Sequence, residues 1–292
     1  MGNVSKPVSK NYGWVVLAIV FFAGFTAPAN MAKVTALAPV VSRVFNFDLG
    51  LVSWVIAVFF VLGFLLAFPA ASIIKRLGIR KVVNIAVSCG ALGSLLGVLS
   101  KGFGLFLVSR ILEGSGMGIM GVAGASAIAP WFPKEKRGLP LGIWAMWVAL
   151  AMFACPILYG WISESIFGVY NPLEASMDAL KGTVSAVWWG NFIFDVVILI
   201  LFNIIYKDAP RDLYGENEEE AAVSEQIRVS AVFKNSMLWA LALIFLFDEL
   251  AFMSINGLFT TYLTGGSPSA PSPISLDMFD ATKWASTAAI LG

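Results

Sequence analysis

The chain has 292 residues, of which 59% are hydrophobic and 13% are charged, and its net charge is +1. A soluble domain carries about 25% charged residues, so this composition excludes a soluble globular protein and predicts an integral membrane protein. The chain contains no histidine, the commonest metal ligand and general base, so we expect neither a cofactor nor an enzyme. We also expect no nucleic-acid partner for a chain of this membrane-protein composition.

Apolar stretches long enough to span the hydrocarbon core, which takes about 20 residues, follow one another along the whole chain. They lie at 14–40, 52–74, 82–100, 105–131, 138–162, 183–206 and 236–264, and an eighth begins near Trp284. The predicted fold is therefore an all-α polytopic membrane protein with seven complete spans and part of an eighth. Because no polar tail follows the last stretch, we expect a C-terminally truncated chain.

The spans group into three predicted parts. Residues 1–206 form an N-terminal six-helix bundle, 207–235 a polar linker loop, and 236–292 the beginning of a second bundle. Lysine and arginine residues between the spans are concentrated on the side that holds the N-terminus, and this bias predicts a cytoplasmic N-terminus. We expect a multi-pass protein of the plasma membrane whose first span is not cleaved.

Two motifs carry a resemblance to a known family. The loop after the second span reads "KRLGIRK", and its Arg76, Gly78, Arg80 and Lys81 match the Asp-Arg-x-Gly-x-Arg-Lys pattern of the major facilitator superfamily. Lys75 departs from that pattern, because the family has a carboxylate there that helps to latch the cytoplasmic side.

The second motif is "RILEGSGMG" in the fourth span, which resembles the Arg-x-x-x-Gly-x-Gly signature of the same family. The next segment, "APWFPKEKRGLPLGIW", is similar to the corresponding loop of members that carry organic anions. The resemblance implies a twelve-helix secondary transporter that works by alternating access, with the first, fourth and seventh helices at a central cavity.

The first span carries Thr26, Asn30 and Lys33 on one helical face. A charge near the bilayer centre costs about 2.5 kcal/mol or more, so Lys33 needs a partner, a cavity or access to the interface. We interpret Asn30 and Lys33 as substrate-binding residues for an anion. The alternative is that Lys33 extends to the outer interface.

The fourth span carries Arg110 and, one helical turn later, Glu113. Arg110 shares a face with Gly114, Gly118, Gly121 and Ala125, a spacing that predicts a seam for a closely packed helix. Arg110 and Glu113 either neutralise each other, or Arg110 reaches the cavity and binds an anion or a proton-linked carboxylate. We favour the second interpretation.

The seventh span contains "FDELAF", in which Asp248 and Glu249 lie near the middle of the membrane. Glu249 lies on the same helical face as Met253, Asn256 and Thr260, and we call this the polar face of the seventh span. A carboxylate in apolar surroundings binds a proton readily, so Glu249, Asp248 and Glu113 are the candidate proton-coupling residues. A sodium site at Glu249 and pairing with a cation of another helix are the alternatives, and for Asp248 a structural role is favoured.

Asp195 in the sixth span is expected to serve structural pairing or helix packing, and Trp144 with Trp147 in the fifth to serve core packing, rather than transport. The sixth helix is peripheral scaffold in the family that the chain resembles, and tryptophans three positions apart are typical of a helix core. These positions are therefore not included among the predicted site residues.

These observations predict proton-coupled uptake of a small organic anion, a carboxylate, by a monomer in the lipid bilayer. Lys33, Arg110 and Asn30 would bind the anion, and Glu249 would carry the proton. An exporter of drugs or lipophilic cations is the alternative transporter, and a non-transporting receptor is the alternative from another class.

Overall fold

The structure, a computed structural model, describes residues 11–210, 259–267 and 270–291, with isolated positions between 236 and 247. Its helices are α1 (Tyr12–Ala36), α2 (Ala38–Phe45), α3 (Leu49–Leu77), α4 (Ile79–Leu99), α5 (Phe103–Ile128), α6 (Gly138–Ala145), α7 (Trp147–Trp161), α8 (Met177–Ile205) and α9 (Met278–Leu291). Strands β1 (Thr264–Ser267) and β2 (Ala270–Ser275) form a short antiparallel hairpin before α9. The predicted helical fold is confirmed, and the hairpin is an addition that hydropathy did not predict.

Six helical stretches in the described ranges are long and apolar enough to cross a membrane. They are Tyr12–Ala36, Gly50–Leu77, Ile79–Leu99, Phe103–Trp131, Gly138–Ile166 and Met177–Ile205, and they coincide with the first six apolar stretches of the sequence. Residues 211–235 of the linker loop and most of the predicted seventh span lie outside the described residues. The helix expected near Trp284 begins earlier, at Met278, because Asp280 and Lys283 lower the local hydropathy without preventing helix formation.

Two of the predicted spans are interrupted. The first is divided at Leu37, where φ is −102° and ψ is 21°, and Pro39 then occupies the first turn of α2. Proline is tolerated at that position because the first amide groups of a helix have no partner within the helix. The fifth span is divided at Met146 into α6 and α7, and a π-helical turn, Ile162–Ile166, extends α7.

Gly78 joins α3 to α4 in the loop that carries the family motif. Its φ of +80° lies in the left-handed region, which favours glycine. A Cβ atom at this position would meet no atom within 4 Å. The backbone conformation of the turn, rather than packing, therefore accounts for the glycine.

Helix α1 lies at the centre of the bundle and contacts α4, α5, α7 and α8. Within its most apolar window 78% of the residues are buried, compared with 28% for α3. Helix α3 packs mainly on α5 and exposes Trp54, Phe64 and Phe68. An exposed apolar face of this kind fits lipid or another protein surface.

The buried apolar residues form two clusters along the bundle. One, at the end where α1 begins, includes Val16, Val83 and Trp131. The other, at the opposite end, includes Val40 and Phe106. We call these ends the N-terminal end and the opposite end, and the charged residues of the bundle interior lie where the two clusters meet.

Candidate functional site: a buried charge cluster

Six polar side chains from four helices meet in the bundle interior, and each is at most 1% exposed. We call this set the buried charge cluster; its members are Asn30 and Lys33 of α1, Ser94 of α4, Arg110 and Glu113 of α5, and Asp195 of α8. The predicted substrate-binding residues Lys33, Arg110 and Asn30 are therefore brought together, and the predicted proton carrier Glu113 lies among them.

Glu113 accepts from both cations. The Lys33 Nζ atom lies 2.5 Å from Oε1 of Glu113, and Nη1 of Arg110 pairs with Oε2. The same Nη1 donates to the backbone oxygen of Asn30 at 3.0 Å. The pair of Arg110 and Glu113 at i, i+3 thus exists, but Lys33 shares its carboxylate. The alternative that Lys33 extends to the outer interface is wrong, because its side chain is 0% exposed.

Asn30 connects the two ends of the cluster. Its Oδ1 accepts from Lys33 Nζ and from Ser94 Oγ, each at 2.6 Å. Its Nδ2 donates to Asp195 Oδ2 at 2.9 Å and to the backbone oxygen of Thr26 at 3.0 Å. The two acceptor and two donor positions of the amide are therefore all used, which fixes its orientation between Lys33 and Asp195.

Aromatic rings cover the two cations. The Nζ atom of Lys33 lies 5.0 Å from the ring centre of Trp188, and Cζ of Arg110 lies 4.7 Å from that of Phe59. Both distances fall within the range of cation–π attraction. The rings thereby hold the cations away from water while leaving their hydrogen-bonding groups directed at the cluster.

Three glycines of α4 make space for the cluster. A Cβ atom at Gly90 would lie 3.1 Å from Nδ2 of Asn30 and 3.2 Å from Oδ2 of Asp195. A Cβ atom at Gly93 would collide with Glu113, and one at Gly97 with Trp188. The sequence analysis did not use this signal, although the three glycines recur at helical spacing next to Ser94.

Asp195, for which we expect structural pairing or helix packing, pairs with Asn30 and so lies in the cluster. Among the described residues its second oxygen, Oδ1, has no hydrogen-bond partner. The Nε atom of Arg110 and the Nε1 atom of Trp188 are likewise buried and unpartnered there. The cluster therefore retains one unused donor and one unused carboxylate oxygen, and the indole of Trp188 beside Lys33 adds a second unused donor.

The predicted glycine seam of α5 is shorter than expected. Cβ atoms at Gly114 and Gly118 would collide with the backbone of Phe59 and of Gly63, so these glycines allow α3 to approach closely. Gly121 does not take part, because a Cβ there would meet no atom within 4 Å. The close approach of α3 is therefore limited to Gly114 and Gly118.

Trp144 and Trp147 pack in the core, as expected. Their ring centres are 4.9 Å apart with an interplanar angle of 10°, and both side chains are buried. Trp144 also contacts Gly24 and Gly124, where a Cβ atom would collide with the indole. The tryptophan pair thus fills the space between α1 and α5.

The motif loop lies at the N-terminal end of the bundle. Arg80 Nη2 donates to the backbone oxygens of Asn203 and Tyr206, at 3.0 and 2.7 Å, and so binds the end of α8. Burial, together with the neighbouring Asp208 carboxylate, raises the pKa of the Tyr206 phenol, which stays uncharged. Arg76 and Lys81 are exposed.

The predicted proton carriers Glu249 and Asp248 lie outside the described residues. Thr260, the last member of their predicted polar face, is buried beside a cavity of about 10 Å³. Thr35 and Pro156 line the same cavity together with Ser286 of α9. Thr260 therefore lies at a junction of α1, α7 and α9.

Helix α9 is attached to the bundle at the opposite end. The side chain of Thr282 fills the space at Gly160 of α7, where a Cβ atom would collide with it. Oε2 of Glu164 accepts from the backbone nitrogen of Phe279 at 3.2 Å. These contacts hold the first turn of α9 against the end of α7.

A family model described as Major Facilitator Superfamily matches residues 20–273, which is most of the chain. The chain therefore belongs to the major facilitator superfamily and is a multi-pass membrane protein. This finding confirms the family resemblance that the two motifs indicated.

Curated relatives share a part of their length with this chain. The uncharacterised MFS-type transporter YcnB of Bacillus subtilis is 27% identical over 160 residues, 55% of this chain and 33% of that protein. The multidrug export protein EmrB of Haemophilus influenzae is 23% identical over 169 residues, 57% of this chain and 33% of that protein. The fatty acid resistance protein FarB of Neisseria gonorrhoeae is 32% identical over 111 residues, which cover 38% of this chain and 22% of that protein. The match thus spans about a third or less of each relative.

Solved structures show the same fold. A bacterial homologue of the human lysosomal transporter Spinster, inward-facing and unoccupied, superposes with a TM-score of 0.67 at 16% identity, covering 97% of this chain and 61% of that one. The inward-open xylose transporter XylE from E. coli gives 0.56 at 14% identity, covering 86% and 62%. At these identities the likeness concerns the fold.

Proposed function

We propose that this member of the major facilitator superfamily is a secondary transporter that takes up a small organic anion, a carboxylate, together with protons by alternating access. The observation that carries the proposal is the sharing of one buried carboxylate, that of Glu113, by two buried cations, Lys33 and Arg110. The N-terminal end of the bundle is taken as cytoplasmic.

The proposed coupling is an exchange of carboxylates at the two cations. A buried cation left without a partner is strongly destabilising, so Lys33 and Arg110 need a carboxylate in every state. When Glu113 binds a proton it releases them, and the carboxylate of the substrate takes its place. Anion binding at Lys33 and Arg110 therefore requires proton binding at Glu113.

Release follows by reversal of the same exchange. On the side with the lower proton concentration, Glu113 loses its proton and again pairs with Lys33 and Arg110. The substrate carboxylate then loses both of its partners and leaves. In both states Lys33 and Arg110 are paired with one carboxylate, so the net charge of this group stays constant. Because an unpaired charge is costly in a medium of low dielectric constant, this constancy lowers the barrier between the two conformations.

The unused donors of the cluster support a carboxylate as the ligand. A guanidinium group has five donors in a planar fork and binds carboxylates through two parallel hydrogen bonds. Nη1 of Arg110 serves Glu113 and Asn30, whereas Nε has no partner among the described residues. A second substrate oxygen would find its donor at Nε.

The test uses the full-length transporter in liposomes, with gluconate, glucuronate, succinate and octanoate as probes and a pH-sensitive dye inside. We expect at least one anion to drive proton uptake. Glu113→Gln should abolish proton-driven accumulation but keep exchange of labelled anion across the membrane, because the cations stay free for substrate. Arg110→Gln should abolish both.

The matched control is Glu135→Gln, which removes an exposed carboxylate in the loop after α5 and should change neither activity. Glu249→Gln and Asp248→Asn in the same assay test the proton carriers predicted from the sequence. Proton-coupled accumulation that survives Glu113→Gln would exclude the carboxylate exchange.

Export of lipophilic compounds is the second candidate. It is favoured by the names of two relatives, a multidrug export protein and a fatty acid resistance protein. Cells that overproduce this transporter would then accumulate less ethidium or less octanoate than cells without it. Uptake of the polar anions gluconate or succinate, with unchanged ethidium content, would exclude the exporter.

A further inference from the structure

Asp195 of α8 is a buried carboxylate that the proposed exchange does not use. Its side chain is 0% exposed. Oδ2 accepts one hydrogen bond, from Nδ2 of Asn30 at 2.9 Å, and Oδ1 accepts none from the described residues. No cation of the described ranges lies within salt-bridge distance of it, since both ion pairs found there belong to Glu113.

This environment favours the protonated form of the side chain. An ionised carboxylate accepts about four hydrogen bonds, and Asp195 receives one. A buried charge without a partner costs far more than a buried neutral acid, so such a group takes up a proton instead. The single hydrogen bond that the amide of Asn30 donates is compatible with both the protonated and the ionised carboxyl group. Asp195 can therefore bind and release a proton without losing this bond.

The charged groups nearest to Asp195 all belong to the buried charge cluster. Helix α1 contributes Lys33, linked to Asp195 through the amide of Asn30. Helix α5 contributes Glu113, and Arg110 is joined to it. From α7 the hydroxyl of Tyr159 bonds to Asn191, one helical turn before Asp195.

Other titratable groups on the helices around α8 are engaged elsewhere. Arg80 binds the backbone at the end of α8, Arg43 binds the backbone oxygens of Pro172 and Ala175, and Glu164 binds Phe279. Cys89 lies against Gly116 of α5, and Cys155 lies beside Tyr159. Among the described residues, Lys33 and Glu113 are therefore the charged groups that act on Asp195.

We propose that Asp195 is a second proton-binding residue of the transporter and that its protonation prepares the buried charge cluster for the anion. The anion binds while Glu113 is protonated, so Lys33 and Arg110 then carry two positive charges. With Asp195 also protonated the net charge of the cluster is +2, and with Asp195 ionised it is +1, so protonation of Asp195 strengthens the attraction for the anion. Asn30 transmits the change, because it is bonded to Asp195 and to Lys33 at once. This inference rests on the proposed function.

The number of protons and the net charge carried in each transport cycle follow from the two carboxylates, Glu113 and Asp195. One proton binds Glu113 and frees the two cations, and a second proton binds Asp195. A monovalent carboxylate enters with them, so each cycle carries two protons, one anion and a net charge of one positive unit. Both protons leave on the side where the anion leaves. Transport is therefore electrogenic and responds to the membrane potential.

The first experiment measures stoichiometry in liposomes that hold the full-length transporter, using whichever of the monovalent, membrane-impermeant anions gluconate and glucuronate drives proton uptake. We expect two protons for each monovalent anion and faster uptake with a negative interior potential. Asp195→Asn should lower this to one proton and remove the effect of the potential. Asp178→Asn, an exposed position at the start of the same helix, should change neither.

The second experiment reads the proton itself. Infrared spectra of the purified transporter should contain the C=O band of a protonated carboxylic acid that titrates with pH and is missing in Asp195→Asn. Asn30→Ala keeps the carboxyl group and should shift the frequency of that band, since its hydrogen bond is lost. This variant also decides the assignment if Asp195→Asn does not fold.

The two experiments separate the failure of each proposal. A stoichiometry and an infrared band that are unchanged in Asp195→Asn would overturn the second proton site. The acid band of Asp195 without transport of any probe anion would support that site and refute the proposed function. One proton per anion in the wild type would overturn the role of Asp195 even if Glu113 performs the exchange.

Discussion

The Nζ atom of Lys33 lies 2.5 Å from Oε1 of Glu113, although the two residues are 80 positions apart in the chain. The contact joins the last turn of α1 to the first half of α5 in a place that water does not reach. Arg110 approaches the same carboxylate from its other side. The carboxylate of Glu113 is therefore the common partner of both cations of the buried charge cluster.

Removing Lys33 should destabilise the bundle. Lys33→Met takes one of two cations from a buried carboxylate, and breaking a buried ion pair costs about 3–5 kcal/mol. Because Arg110 still pairs with Glu113, we expect a loss near the lower end of that range. Thermal unfolding in detergent measures it, and the exposed Lys81→Met serves as the control.

The same pair predicts coupling in a double-mutant cycle. Lys33→Met combined with Glu113→Gln should lose less stability than the sum of the two single changes, because each removes the partner of the other. Additive losses would contradict a direct interaction between the two side chains.

The seam between α3 and α5 predicts different effects at two glycines of one helix. A Cβ at Gly118 would collide with the backbone of Gly63, whereas one at Gly121 has open space around it. Gly118→Ala should cost about 1–3 kcal/mol, since overpacking forces the helices apart. Gly121→Ala should lie within about 0.5 kcal/mol of the wild type. Equal melting temperatures for both variants would exclude the seam.

The attachment of α9 predicts a rescue. Gly160→Ala should destabilise the contact between α7 and α9, because its Cβ would occupy the space of the Thr282 side chain. Thr282→Ala removes the nearest colliding atom, Oγ1, but leaves Cβ at 2.9 Å, so the double variant should regain part of the lost thermal stability. Gly190→Ala in α8, where a Cβ meets no atom within 4 Å, is the control. A double variant less stable than Gly160→Ala alone would contradict this packing.

Arg80 is predicted to hold the end of α8. Arg80→Gln removes two hydrogen bonds to the backbone oxygens of Asn203 and Tyr206, each worth about 0.5–1.5 kcal/mol or more for a charged donor. Amide hydrogen exchange at 203–207 should become faster, while Arg76→Gln in the same loop should leave it unchanged. Identical exchange in both variants would show that Arg80 does not bind α8.

Several features of this protein are determined by the sequence alone. Hydropathy predicts the six spans of the first bundle, because crossing the hydrocarbon core requires a minimum apolar length in each helix. The contact of Arg110 with Glu113 follows from the i, i+3 spacing within one helix.

The partners of Lys33 and Asp195 were decided by the tertiary structure. From hydropathy alone, the side chain of a lysine near the end of a span can extend to the membrane interface or point into the bundle. Which orientation it takes depends on whether another helix places a carboxylate within reach. Glycines at 90, 93 and 97 let the side chains of Asn30, Glu113 and Trp188 approach α4. The sequence does not predict these contacts, because it does not show which helices pack against the three glycines. The rotation of each helix about its axis and its choice of neighbours arise from packing over the whole bundle. Local spacing therefore predicts contacts within a helix, whereas the contacts that join Lys33 to Glu113 and Asn30 to Asp195 exist only once the four helices are assembled.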